Sequence, residues 1–127
     1  MTKKYKIYYA EANYGKSEIE AVVKVLQNQK HYLMGGKQTL NLEKKVSKLF
    51  NKKYGLMTNS GSSSNLLAIA SFQFKRGSEI ITPALTFSTT VAPIVQNGLI
   101  PAFVDIDIKT LQIDTKLIEK AINKKTV

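Results

Sequence analysis

The sequence predicts an α/β fold, and two observations lead to that prediction. From residue 54 onward, short apolar segments typical of strands alternate three times with segments that have helical spacing. Each strand-like segment is followed by a polar turn and then by a helix-like segment, which is the order found in α/β sheets. Two or three strands would leave such a sheet with open edges. We therefore expect the 127 residues to form the N-terminal part of a larger protein.

Residues 1–53 are predicted to contain two helices and a loop. The first helix runs from Ser17 to about Asn28, and Ser17 with Glu20 forms a capping box at its start. Residues 31–37 predict a loop, and the second helix runs from about residue 39 to residue 50. Each helix should bury one apolar stripe. The stripes are Ile19, Val22, Val23 and Leu26 in the first helix, and Leu42, Val46, Leu49 and Phe50 in the second.

Residues 54–127 are predicted to form the beginning of the sheet. Strands are predicted over residues 54–58, 79–82 and 99–104. Helices are predicted over residues 66–74 and 89–97, and Gly98 stops the second of these. Asp114 or Thr115 caps a last helix, after which residues 124–127 lead toward another strand. In an open sheet of this kind, ligands bind at the carboxyl ends of the strands.

The charge balance is the most unusual feature of the composition. Nineteen lysines and arginines stand against nine acidic residues, which gives a formal net charge of +10. Such an excess of positive charge favours binding to nucleic acid or to a smaller anionic ligand. Arg76 is the single arginine and the eighteen lysines are spread along the chain, which disfavours sequence-specific reading of DNA. A small basic nucleic-acid-binding domain remains the alternative from another functional class.

The composition also excludes several classes of protein. No apolar run approaches the ~20 residues of a membrane helix, and no secretory signal follows the basic start. The sequence has no cysteine and one histidine, His31, so a disulfide scaffold, a cysteine nucleophile and a histidine-based metal site are not expected. His31 itself is interpreted as a surface residue. We expect a cytoplasmic protein that binds neither a metal nor a membrane.

A polar turn, NSGSSSN at residues 59–65, joins the first predicted strand to a helix. Gly61 lacks a Cβ atom and allows a ligand to approach the backbone closely. The amides of Ser62, Ser63 and Ser64 would point out of the helix N-terminus, where the dipole is positive and a phosphate can bind. The alternative is that the serines only cap the helix. The turn has one glycine and no lysine, so it is neither a G-x-G-x-x-G motif nor a Walker A loop.

A second loop, PALTFSTT at residues 83–90, also follows a strand and precedes a helix. Phe87 in this loop and the serine-rich turn would both lie at the carboxyl edge of the sheet. A phenylalanine beside an anion-binding turn can stack on a planar ring. The alternative is that Phe87 belongs to the apolar core.

Three segments, taken together and in order, resemble one family of enzymes. They are NSGSSSNLL at residues 59–67, GSEIITPALTF at residues 77–87 and PAFVDID at residues 101–107. Residues 8–127 resemble the N-terminal third of the DegT/DnrJ/StrS-type sugar aminotransferases and deoxysugar dehydratases, which use pyridoxal 5'-phosphate (PLP). The resemblance implies the N-terminal portion of one large PLP-binding domain with the type I fold, a three-layer α/β/α sandwich whose sheet is incomplete here.

This resemblance assigns roles to a few residues. The amides of Ser62 and Ser63, beside Gly61, would bind the cofactor phosphate, and Phe87 would stack on the pyridine ring. Lys37 lies where the family has a loop near the partner subunit's active site, so it is a candidate for contact with a nucleotide diphosphate; a solvated lysine is the alternative.

The family pattern places no catalytic residue within this chain. The lysine or histidine that moves protons, and the aspartate that keeps the pyridine nitrogen protonated, are both expected beyond Val127. Asp105 and Asp107 match a motif that is structural in the family. The 127 residues alone are therefore expected to be inactive.

The serine-rich motif most resembles one branch, the nucleotide-sugar 3-dehydratases that serve lipopolysaccharide 3,6-dideoxyhexose synthesis. This implies PLP or its pyridoxamine form (PMP), an amino donor, and a nucleotide-linked 4-keto-6-deoxy sugar that loses its C3 hydroxyl. A nucleotide-sugar aminotransferase is the alternative, because the residue that distinguishes the two lies beyond Val127. A homodimer and an iron–sulfur reductase are the protein partners that the resemblance implies.

Overall fold

The computed structural model describes residues 7–28 and 33–127. The chain divides into two compact units, residues 1–56 and residues 57–127. His31 and the start of its predicted loop lie outside the described residues. Within the described ranges, none of the helices combines the length and the apolar composition needed to cross a membrane.

The N-terminal unit contains two helices, α1 (Lys16–Asn28) and α2 (Lys37–Leu49). The predicted capping box between Ser17 and Glu20 is wrong, because α1 begins one residue earlier. The Gly15 amide, just before the helix, donates instead to Glu18 Oε2 at 2.7 Å. That hydrogen bond is the main reason why the pKa of the Glu18 carboxyl lies below its ordinary value.

The predicted burial of the two apolar stripes is also wrong for the described residues. Leu49 of α2 is 80% exposed, and the other stripe residues of both helices are exposed as well. An amphipathic pattern shows that a helix has an apolar face, but burial requires a second surface against that face. The described part of the chain does not supply one.

The C-terminal unit is built around a parallel pair of strands, β1 (Glu79–Pro83) and β2 (Ile100–Val104). Glu79 pairs with Ile100 and Pro83 with Val104, so the two strands end at the same edge. The remaining elements of this unit are α3 (Gly61–Phe72), α4 (Ser88–Gln96), β3 (Ile106–Asp107), β4 (Gln112–Ile113) and α5 (Thr115–Ala121). This order confirms the predicted α/β class.

Three local features differ from the sequence-based expectation. Residues 54–58 form no strand in the described structure, since a strand exists only where a neighbour completes its hydrogen bonds. Helix α3 begins at Gly61 rather than near residue 66, because Ser60 caps it. The antiparallel hairpin of β3 and β4 was not expected, since two-residue strands leave too short a pattern to detect.

The end of the chain agrees with the prediction of a further strand. Thr126 forms a parallel bridge with Glu79, on the side of β1 that does not face β2. The Glu79 amide donates to the Lys125 carbonyl at 2.8 Å, and the Val127 amide donates to the Glu79 carbonyl at 3.1 Å. The sheet therefore starts to extend at this edge.

The buried apolar side chains described in this unit come from α4, from the strand that follows it and from the turn between them. Ile94, Leu99 and Val104 are each almost fully inaccessible. The turn between α4 and β2 depends on Gly98, whose φ of +71° favours glycine. A Cβ atom there would also lie 2.7 Å from Arg76 Cζ, so this side of the turn is closely packed.

A buried hydroxyl on β1 leads to a stability prediction. Thr82 is 3% exposed, and its Oγ1 has no hydrogen-bond partner among the described residues. We expect Thr82→Val in the intact protein to leave the free energy of unfolding unchanged or to raise it by about 1 kcal/mol, because valine keeps the shape and removes an unpaired polar group. Urea unfolding measures this change.

Thr58→Val is the matched control for that substitution. The Thr58 hydroxyl donates to the Ser60 carbonyl at 2.8 Å and lies 2.6 Å from Ser64 Oγ, so its removal should cost about 0.5–1.5 kcal/mol. A loss for Thr82→Val as large as that for Thr58→Val would show that the Thr82 hydroxyl has a partner outside the described residues.

Candidate functional site

The candidate site lies where the N-termini of α3 and α4 come together. Helix α4 starts just after β1, at the edge where both parallel strands end. Asn65, in the second turn of α3, donates from Nδ2 to the carbonyl of Thr89 in the first turn of α4 at 3.5 Å. One helical turn rises about 5.4 Å, so this contact holds the two helix starts next to each other. Sequence analysis did not identify Asn65, because the contact joins residues far apart in the chain.

The start of α3 is held by a cluster of hydroxyl groups. Ser60 caps the helix, and its Oγ accepts a hydrogen bond from the Ser63 amide at 3.1 Å. The Ser64 amide donates to the Ser60 carbonyl, also at 3.1 Å. Thr58 Oγ1 donates to the same carbonyl at 2.8 Å. The helix start is therefore ordered by the chain's own groups before any ligand binds.

Two amides of the first turn remain available to a ligand. The first residues of a helix have no carbonyl one turn earlier to accept their amides. Among the described residues, neither Gly61 nor Ser62 donates its amide to a protein acceptor. A Cβ atom built on Gly61 would meet no atom within 4 Å, so there is open space beside this helix start. The site favours an anion there, because the helix dipole is positive at this end.

These hydrogen bonds bear on the two interpretations of the serine-rich turn, helix capping and phosphate binding. Capping and anion binding are compatible, since Ser60 serves the Ser63 amide while the amides of Gly61 and Ser62 point elsewhere. The predicted use of the Ser63 amide by a phosphate would require it to share that donor with Ser60 Oγ. The sequence contains the signal for this cap, because serine is a preferred N-cap residue and Ser60 comes directly before the helix.

Phe87 lies at the start of α4, on the other side of the site. It is the residue before the helix, with extended backbone angles of φ −73° and ψ 142°. Its side chain is 69% exposed, so the described chain does not bury it in the core. Nearby, Thr86 Oγ1 donates to Thr90 Oγ1 at 3.1 Å, which ties the loop to the first turn of α4. An exposed ring on a fixed loop can serve as a stacking platform.

The aspartates after β2 have local structural partners. Asp105 Oδ1 accepts from the Ile106 amide at 2.8 Å, and Asp107 Oδ1 accepts from the Lys109 amide at 2.7 Å, inside the β3–β4 hairpin. Asp114 caps α5 by accepting from the Lys116 amide at 3.0 Å. These contacts agree with the structural reading of Asp105 and Asp107.

Lys37 is the remaining predicted site residue and belongs to the N-terminal unit. It is the first residue of α2, and its side chain is exposed. It lines an open groove with a volume of about 760 Å³ between α1 and the start of α2. Gly61, Ser62, Ser63 and Phe87 belong to the other unit and do not line this groove.

The parallel β1–β2 pair, with the N-terminus of α4 at its carboxyl edge and α3 tied to α4 through Asn65, defines a domain of the α/β class. The chain belongs to the DegT/DnrJ/EryC1/StrS aminotransferase family, which matches residues 13–127. This confirms the family resemblance carried by the three sequence segments.

One of the named relatives is a nucleotide-sugar 3-dehydratase. The chain is 38% identical over 123 residues to a GDP-4-keto-6-deoxy-D-mannose 3-dehydratase of Yersinia pseudotuberculosis, covering 92% of this chain and 31% of the relative. It is 44% identical over 103 residues to the lipopolysaccharide biosynthesis protein RfbH of Salmonella typhimurium, covering 75% of this chain and 24% of that protein. The chain thus spans about a third or less of the length of these relatives.

Solved structures confirm the fold of the family. The E. coli GDP-4-keto-6-deoxy-D-mannose-3-dehydratase with bound hydrated PLP superimposes with a TM-score of 0.82 at 37% identity. The match covers 92% of this chain and 31% of the E. coli chain. Structures similar to this chain have been solved with PLP or with PMP as the bound cofactor.

Proposed function

We propose that this chain is the cofactor-binding part of a PLP- or PMP-dependent enzyme that removes the C3 hydroxyl from a nucleotide-linked 4-keto-6-deoxy sugar. The observations that carry the proposal are the open amides of Gly61 and Ser62 at the start of α3 and the exposed ring of Phe87 at the start of α4. The hydrogen bond from Asn65 to Thr89 holds these two helix starts together. The family membership and the dehydratase relatives support the choice of cofactor and substrate.

The residues present fit such a cofactor. A phosphate needs donors and space, and the start of α3 offers two amides and no side chain at Gly61. A pyridine ring needs a flat apolar surface, which Phe87 offers with most of its area exposed. The cofactor, when bound, supplies an electron sink for bond breaking next to the carbon that carries nitrogen.

The contribution of this chain is binding and orientation. The Gly61 and Ser62 amides neutralise the phosphate charge and set the position of one end of the cofactor. The Phe87 ring fixes the tilt of the other end and excludes water from one ring face. No residue of this chain is assigned the proton transfer, so the residues that move protons stay a prediction for the remainder of the enzyme.

The second candidate is a nucleotide-sugar aminotransferase, since the family itself carries that name. The nucleic-acid-binding alternative is not retained, because the chain belongs to an enzyme family. A homodimer, an iron–sulfur reductase partner and a cytoplasmic location stay predictions.

One experiment separates the two enzymatic candidates. The intact protein is incubated with PLP, glutamate labelled with heavy nitrogen, and GDP-4-keto-6-deoxymannose, and the sugar product is analysed by mass spectrometry. We expect a product without the C3 oxygen and without the label, because a dehydratase releases the nitrogen. A labelled amino sugar that keeps its C3 oxygen would favour the aminotransferase. An unchanged sugar, together with unchanged PLP, would contradict both candidates.

A further inference from the structure

A proline inside α4 leaves one carbonyl of that helix without its usual donor. In an α-helix, the carbonyl of each residue accepts the amide four residues later. Pro93 is four residues after Thr89 and lies within the helix, where a proline has no amide hydrogen to donate. The proline ring also crowds the carbonyl one turn before it. The Thr89 carbonyl is therefore open to a donor from outside α4.

Asn65 of α3 supplies that donor. Its Nδ2 atom donates to the Thr89 carbonyl at 3.5 Å, across 24 residues of sequence. The bond is long for an N–H···O contact, so its own contribution to stability is small. Its place in the fold is distinctive, because it joins the second turn of α3 to the first turn of α4. The carbonyl that α4 leaves open and the side-chain amide on α3 thus tie the two helices together.

The two tied helices carry the two parts of the candidate site. The available amides, Gly61 and Ser62, begin α3, and Phe87 with its exposed ring comes directly before α4. A ligand whose phosphate and ring are joined covalently can engage both parts at once only if the helix starts have the right separation and tilt. A separation that is fixed before binding raises the affinity, because the ligand does not have to order the two contacts itself.

We propose that Asn65 and Pro93 are positioning residues for the cofactor. Pro93 frees the Thr89 carbonyl, and Asn65 binds that carbonyl from α3. The tie holds the phosphate-binding start of α3 at a fixed distance from the Phe87 ring. The inference rests on the proposed function, since it takes PLP or PMP as the ligand that spans the two helix starts. Neither positioning residue is assigned a contact with the cofactor, and both act through the placement of α3 relative to α4.

Binding measurements on the intact protein test the role of Asn65. PMP, pyridoxamine and inorganic phosphate are titrated separately into the wild type and Asn65→Ala. We expect the Kd of PMP to rise roughly two- to tenfold, which is the effect of one neutral hydrogen bond. The Kd values of pyridoxamine and of phosphate should stay unchanged, since each of these ligands occupies one helix start only. At saturating PMP, the circular dichroism of the bound ring should also change, because the tilt of the ring is no longer fixed.

Asn97→Ala is the matched control for Asn65→Ala. The Asn97 side chain also donates from Nδ2 to a helix carbonyl, that of Pro93, at 2.7 Å. This bond lies within the end of α4 and joins no second helix. Its removal should lower the free energy of unfolding and leave the Kd of PMP unchanged. An equal rise in the Kd of PMP for both variants would overturn the inference, because a loss of stability would then explain the effect.

A double-mutant cycle tests the role of Pro93. Pro93→Ala restores an amide that can donate to the Thr89 carbonyl within α4. In that background, Asn65→Ala should change the Kd of PMP less than it does in the wild type, because the carbonyl no longer depends on Asn65. Equal changes in the two backgrounds would overturn the part assigned to Pro93. A thermal melt of each variant shows that the protein remains folded.

The outcomes separate this inference from the proposed function. If PMP binds the wild type and Gly61→Leu weakens that binding while Asn65→Ala does not, the cofactor site stands and the positioning role is wrong. Equal weakening of PMP, pyridoxamine and phosphate by Asn65→Ala would also overturn the positioning role, since the separation of the helix starts matters only to the linked ligand. Failure of PMP to bind the wild type would overturn the inference and the proposed function together.

Discussion

Replacing Gly61 by leucine is expected to remove PLP from the intact protein during gel filtration, with loss of the cofactor's absorbance. The reason is steric, since a Cβ atom on Gly61 points into open space beside the free amides of the α3 start. A leucine side chain would occupy the volume that we assign to the phosphate. The same open space means that the substitution should not disturb the packing of the chain itself.

The control for Gly61→Leu is therefore the stability of the protein without cofactor. Its free energy of unfolding should match that of the wild type to within the ordinary range of surface substitutions, about 0.5 kcal/mol. Gly61→Ala adds one carbon and should produce a smaller loss of cofactor than leucine. Full retention of PLP by the folded Gly61→Leu protein would contradict a phosphate at this helix start.

Phe87→Ala is expected to weaken cofactor binding. The loss of binding free energy should exceed that due to the lost contact area by about 0.5–1.5 kcal/mol. The ring stands largely exposed at the start of α4, so it contributes little to the core of the unit. Fluorescence or absorbance titration with PLP measures the change in Kd. Loss of affinity without loss of stability is the pattern that a stacking platform predicts.

Two aromatic replacements complete that test. Phe87→Tyr and Phe87→Trp keep a π-face at the same position, so both should bind PLP nearly as well as the wild type. A Phe87→Trp protein that unfolds would indicate that the intact enzyme packs Phe87 into its core. Stacking is supported if the wild type, Phe87→Tyr and Phe87→Trp all bind PLP more tightly than Phe87→Ala.

Local patterns in the sequence were sufficient for much of the C-terminal unit. The apolar run before Pro83 predicts β1 to within one residue, and the spacing after Phe87 predicts α4 equally well. Both elements are bounded by residues that act locally, such as Gly98 with its positive φ. The three family segments are local patterns too, and they were enough to predict the family and its cofactor.

What the tertiary structure decided depends on contacts between distant residues. The contact from Asn65 to Thr89 brings the helix starts together, and no local pattern in the sequence predicts that these two residues meet. Residues 54–58 have the composition of a strand, yet pairing requires a neighbour that the described chain does not place beside them.

The candidate site shows the same difference between local effects, which the sequence predicts, and contacts that form only in the folded chain. The sequence by itself determined that residues 59–65 form a glycine-containing turn at a helix start, because capping and dipole effects act within one turn. Only the three-dimensional arrangement showed that Ser60 takes the Ser63 amide and that Gly61 faces open space. Hydrogen-bond partners and free volume are properties of the folded chain, since they depend on which groups meet once it is folded.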